Sequence, residues 1–159
     1  MTGKEEDKNL NRVKYENSDI NDTYSNVSWL MYYVVELDGD GINELMVITS
    51  SPEMIEGNTI YFHVIEGVVY AYQSCYRAAT SVHLDGSLWG SSGASDGQLY
   101  KVKFDKNQMK DKEIIAESRF LITSGDVEYT FKGEIFSEEE FFEFIKEYNK
   151  NELQPKLMK

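Results

Sequence analysis

The chain is poor in the residues that most often carry covalent or soft-metal chemistry. Its 159 residues include one cysteine, Cys75, and two histidines, His63 and His83. A single thiol leaves no internal disulfide, so no oxidative framework supports the fold, and Cys75 reads as a small buried apolar residue. There are only two prolines: Pro52 stops a strand by withdrawing a ladder donor, and Pro155 opens a C-terminal tail. No apolar run approaches the roughly 18 residues that span a bilayer as a helix. Positive charge is scarce too, with 16 Lys and Arg against 28 Asp and Glu, a net charge of −12. That balance opposes binding to nucleic acid or anionic lipid, both of which need basic patches. The HExxH and CxxC zinc patterns, the P-loop and the dinucleotide glycine motif are all missing.

What is present suits a folded globule of one-domain length, with 41% hydrophobic and 28% charged residues. Residues 1–27 interleave Lys, Glu, Asp and Asn with few apolar anchors, and read as a flexible polar lead-in with a short helix at 18–24. A single domain follows over 28–150, and 151–159 read as tail. The lead-in has no apolar signal core and no small-residue cleavage site. Either the protein is cytoplasmic, or a signal segment ahead of it has been removed.

Alternating and β-branched runs predict strands at 29–37, 44–50, 59–65, 68–74, 99–104, 113–122 and 127–131. Glu66-Gly67 reads as a two-residue hairpin turn, and 105–111 as a polar turn. Then the period changes. Ser137 and Glu140 form a capping box, and Phe141, Phe144, Ile145 and Tyr148 fall on one stripe of a helix over about 138–149. The expected fold is α+β: a mostly antiparallel sheet of about six to eight strands, with the C-terminal amphipathic helix packed on one face.

The most informative stretch is YVVELDGDGINELMVITS, residues 33–50. Counting from Glu36, acids occupy positions 1, 3, 5 and 9 as Glu36, Asp38, Asp40 and Glu44. Gly41 falls at position 6, and Ile42 at position 7 can offer a backbone carbonyl. Such a loop suits a hard cation such as Ca²⁺, which takes six to eight oxygens, and Gly41 permits the bend because it lacks a Cβ. Gathering four carboxylates in nine residues is unfavourable without a positive partner. An EF-hand needs a glutamate at position 12 and flanking helices; here position 12 is Val47 and the flanks are strands. The alternative reading is a solvated polar turn, since Asp-Gly pairs are strong hairpin signals.

The motif built on Asp38, Gly39, Asp40, Gly41, Glu44 and Leu45 resembles the DxDxDG loop of FG-GAP-type repeats. It more closely resembles the single DxDGDGxxEL loop of small secreted lipoproteins of Gram-positive bacteria. The hairpin TIYFHVIEGVVYAYQ and the closing SEEEFFEFIKEY are similar to that family as well, so the likeness spans about residues 30–150. One departure is Glu36 at position 1, where Asp is usual. The resemblance implies one structural Ca²⁺ held by Glu36, Asp38, Asp40, the Ile42 carbonyl and Glu44. It also implies an extracellular or cell-surface location, with a lipid anchor on a preceding segment, and a non-enzymatic binding role.

Chemistry beyond the loop is thin. Cys75 and His83 could be arranged with Asp85 or Asp96, but no local signature of nucleophilic catalysis surrounds them. A hydrolase using acids or His83 in a cleft near 83–97 is the alternative from another class. An acidic inhibitor or immunity protein is the third. Eleven tyrosines and two tryptophans suit a protein or carbohydrate ligand. Trp89, in a Gly/Ser-rich stretch, is either an exposed contact or a ring folded inward to pin the segment.

Overall fold

A computed structural model of the chain describes residues 29–50, 59–74, 79–91, 93 and 95–157. The expected lead-in, its helix at 18–24, the strand stop at Pro52, and Cys75 lie outside the described residues.

Strands β1 (Trp29–Val35) and β2 (Glu44–Ser50) flank the acidic loop and pair antiparallel, Val35 opposite Glu44. β3 (Thr59–Ile65) and β4 (Val68–Ser74) form the expected hairpin. Glu66 and Gly67 both take positive φ, 53° and 77°, the mirror-image turn whose twist matches that of paired strands. Then come β5 (Ser81–Val82), β6 (Leu88–Ser91), β7 (Gly97–Phe104), β8 (Met109–Phe120), β9 (Val127–Phe131) and β10 (Glu134–Phe136). The polar turn before β8 is shorter than 105–111. Asp105 Oδ1 accepts from the amides of Asn107 at 2.7 Å and Gln108 at 2.9 Å, which closes the turn so that Met109 already pairs with Phe104.

Helix α1 (Glu138–Tyr148) begins as its sequence dictates. Ser137 Oγ accepts from the Glu140 amide, and Glu140 Oε2 accepts from the Ser137 amide at 2.9 Å, a reciprocal cap that satisfies two otherwise orphaned donors. A 3₁₀ turn, Asn149–Asn151, extends the helix. The segment expected as tail re-enters the fold: β11 (Lys156–Leu157) pairs with β1, Leu157 opposite Met31.

The strands of the described residues make two antiparallel sheets rather than one. Their orders are β11-β1-β2-β3-β4 and β10-β9-β8-β7-β6-β5. One core lies between the sheets, where Tyr33, Val35, Met46, Tyr61 and Tyr72 meet Val82, Leu88, Tyr100 and Val102. The second core lies on the far side of the second sheet, where Leu99, Ile115 and Ala116 pack against Phe141 of the helix. Adjacent residues Leu99 and Tyr100 are thus both buried, one toward the helix and one toward the first sheet, because strand side chains alternate faces. The helix stripe is core, as its spacing predicted.

Candidate metal centre

The acidic loop, residues 36–43, sits at one end of the first sheet. Gly39 and Gly41 take positive φ, 88° and 84°, where a Cβ would be strained. The curl is tied by its own acids: Glu36 Oε1 accepts from the Gly39 amide. Asp38 Oδ1 accepts from the Asp40 amide at 3.2 Å and Asp40 Oδ1 from the Ile42 amide at 2.7 Å. One carboxylate oxygen from each of Glu36, Asp38 and Asp40 can be chosen within 4.8 Å of the other two. These three could hold a metal ion.

Glu44 belongs to the same loop in sequence but to a different environment in space. Its side chain is 0% exposed. Oε2 accepts from the Leu37 amide at 2.7 Å, and Oε1 lies 2.8 Å from His63 Nδ1. Burial pushes the Glu44 carboxyl up, and the His63 and Leu37 hydrogen bonds pull back against it. With Asp38, these two residues make a second group whose ligand atoms lie within 4.8 Å of one another. Asp38 is common to both groups.

His63 is a participant that no motif in the sequence marks. β2 pairs with β3 as Leu45 opposite Phe62, so the next pair in that register sets Glu44 opposite His63. The residue is 3% exposed, and its ring stacks on Phe104 of β7 with ring centroids 5.0 Å apart. Its Nε2 faces Asp40 Oδ2 across 3.9 Å. Among the described residues, His63 is the one basic side chain within ion-pair distance of these four acids. Ile42 contributes its amide to the Asp40 bond, and its side chain is exposed.

The turn 83–87 braces the loop from the second sheet. Gly86 lies so close that a Cβ there would come within 2.2 Å of the Glu36 carbonyl oxygen. Asp85 ties this turn to the helix: it accepts from Tyr148 Oη at 2.6 Å and Ser87 Oγ at 2.7 Å, and Lys101 Nζ is 3.4 Å away. Burial alone would raise the Asp85 carboxyl. The Tyr148 and Ser87 hydrogen bonds and the Lys101 charge outweigh it and bring the group down to about 2. Tyr148 is pushed up to about 12 by burial and by Asp85.

A cleft of about 90 Å³ runs between the loop and the second sheet, lined by Glu36, Asp38, Asp85, Lys101, Lys103 and Glu113 among others. His83 does not line it. That ring is fully buried, with Nδ1 3.2 Å from the Ser87 carbonyl and Nε2 3.2 Å from Asn149 Oδ1. Asp96 accepts from the Phe120 amide at 2.7 Å. Trp89 stands on β6, packed with the helix-side core, 6.4 Å from Phe141 between ring centroids. A Cβ on Gly97 would come within 2.4 Å of the Trp89 ring. The inward arrangement of Trp89 is the one present.

Compared with known proteins, the chain matches no protein-family model, no curated protein and no solved structure. Among the described residues, no helix is long and apolar enough to cross a membrane.

Proposed function

We propose that this chain is a non-enzymatic binding or interaction domain whose β1–β2 loop holds one structural calcium ion. Glu36, Asp38, Asp40 and Glu44 supply carboxylate oxygens and Ile42 its carbonyl. The observation that carries the reading is the convergence of Glu36, Asp38 and Asp40 on one another, with Asp38 reaching the buried Glu44. Carboxylates this close repel unless a cation lies between them, and a hard dication takes an oxygen-rich cage of this kind. An extracellular or cell-surface setting, where millimolar calcium would fill a modest site, belongs to the same proposal and rests on the likeness of the loop and closing helix to small secreted lipoproteins. Against the hydrolase alternative stand the burial of His83 away from the cleft and the low pKa of Asp85, opposite to that of a general acid near neutral pH.

The test is calorimetric titration of EDTA-stripped protein with Ca²⁺, together with a thermal melt, against Asp40→Ala. Binding that raises the melting temperature by mass action, and is lost in the variant, supports the reading. The absence of both heat and thermal shift in the wild type would leave an acidic turn with no ion.

A further inference from the structure

We propose that the same site also accepts a first-row transition dication of the Zn²⁺ or Mn²⁺ class, with His63 Nε2 as its nitrogen ligand beside the Asp38 and Asp40 carboxylates. The inference rests on the reading of the loop as a cation site and concerns which cations it takes.

Glu44 Oε1 and His63 Nδ1 are 2.8 Å apart, and a carboxylate oxygen can only accept. With Glu44 ionised, the proton of this bond is carried by Nδ1, and in the neutral ring Nε2 then bears the lone pair. A carboxylate behind a histidine in this way fixes the tautomer and the ring plane, and raises the basicity of the far nitrogen toward a metal. Stacking on Phe104 holds the plane from the other side.

Nε2 is aimed at the loop. It faces Asp40 Oδ2 at 3.9 Å, too far for a hydrogen bond. Among the described residues no hydrogen bond reaches Nε2, although the His63 side chain is only 4% exposed. Two ligand atoms each about 2.0–2.2 Å from one ion stand roughly 3–4 Å apart, which is the span seen here. Asp38, whose carboxylate lies within 4.8 Å of the Asp40 ligand atom in one group and of a His63 ring nitrogen in the other, is the second carboxylate in reach of an ion held between Nε2 and Asp40, with water filling the remaining positions. Calcium takes oxygen ligands. An imidazole beside carboxylates suits Mn²⁺, and Zn²⁺ more strongly.

The chain has only two histidines, so imidazole ¹⁵N spectra of the full-length protein report on the site directly, with His83 as the internal control. Stoichiometric Zn²⁺ added to stripped protein is expected to shift the His63 signals and leave those of His83 in place. His63→Gln is expected to lose at least about tenfold in Zn²⁺ affinity, while its Ca²⁺ affinity stays within about threefold because oxygen ligands carry that ion. Unmoved His63 signals, or undiminished Zn²⁺ affinity in His63→Gln with Ca²⁺ binding intact, would overturn the role of His63 and leave the calcium reading standing. If wild-type protein binds neither ion, both proposals fall. Should His63→Gln not fold, the wild-type spectra alone decide.

Discussion

Glu44 and His63 face each other from neighbouring strands, Oε1 to Nδ1 at 2.8 Å, and both side chains are almost wholly out of solvent. A buried carboxylate holding a buried imidazole and the Leu37 amide together is costly to break from one side. Glu44→Ala strands the Leu37 amide and His63 Nδ1 without an acceptor, and should destabilise the fold by about 2–4 kcal/mol. Glu44→Gln keeps the shape and one acceptor oxygen for the Leu37 amide, while its NH2 can only donate, so His63 must carry its proton on Nε2 to accept from it; this variant should cost closer to 1 kcal/mol. Urea unfolding of the stripped proteins measures both. Equal losses in the two variants would mean that the carboxylate both of them remove, not the shape that Gln keeps, governs the site.

The sequence carried the local half of this arrangement and not the cross-strand half. The spacing of Glu36, Asp38, Asp40 and Glu44 around two glycines marked the loop, because those residues interact within one turn of chain. The β3–β4 hairpin and the start of α1 were legible for the same reason, through Glu66-Gly67 and the Ser137–Glu140 box. His63 was not, since its place depends on the register of β2 against β3, and the sequence between those strands carries no two-residue hairpin signal to fix that register. The division into two sheets was likewise hidden. Strand patterning shows that Leu99 and Tyr100 point opposite ways, but not that a helix covers one face and a second sheet the other. The pairing of Lys156–Leu157 with β1 rests on two residues, too few to show a period.

Ser137 offers a simpler test of the helix. Its hydroxyl accepts from the Glu140 amide while Glu140 reaches back to the Ser137 amide. Ser137→Ala removes the first of these bonds and should cost about 1 kcal/mol, read as a lower urea midpoint with an unchanged slope. A loss below a few tenths would mean that the Phe141 packing alone holds the first turn.

Asp85 should make the acid limb of stability visible. Its folded pKa is about 2, against 3.8 for the free group. A lowered carboxyl stabilises the fold above the unfolded pKa, and that contribution is lost as pH falls through the folded one. The window therefore runs from about pH 4 down to about pH 2. Solvent reaches much of this side chain, so screening reduces the contribution to roughly 1 kcal/mol. Asp85→Asn should be less stable than wild type by that amount at pH 6, and the gap should close as pH approaches 2. Tyr148, raised to about 12, works at the other limb: its contribution is intact below pH 10 and lost as pH rises toward 12. A gap between wild type and Asp85→Asn that persists at pH 2 would assign the effect to packing rather than charge.

Gly86 tests whether the turn at 83–87 holds the acidic loop in place. Its φ is +79°, and an added Cβ would lie 2.2 Å from the Glu36 carbonyl oxygen and 3.1 Å from Leu37 Cα. Gly125 has the same φ with nothing within 4 Å of its Cβ position, so the two glycines share the backbone strain and differ only in the collision. Gly125→Ala should cost about 1 kcal/mol, the strain alone, and Gly86→Ala about 3 kcal/mol because the Glu36 backbone must also move. That movement carries Glu36 and Asp38 with it, so Gly86→Ala should weaken Ca²⁺ binding while Gly125→Ala leaves it unchanged. Paired unfolding and calorimetric measurements separate the two effects. Equal Ca²⁺ affinities in both variants would show that the loop keeps its shape through its own hydrogen bonds, without the brace from the second sheet.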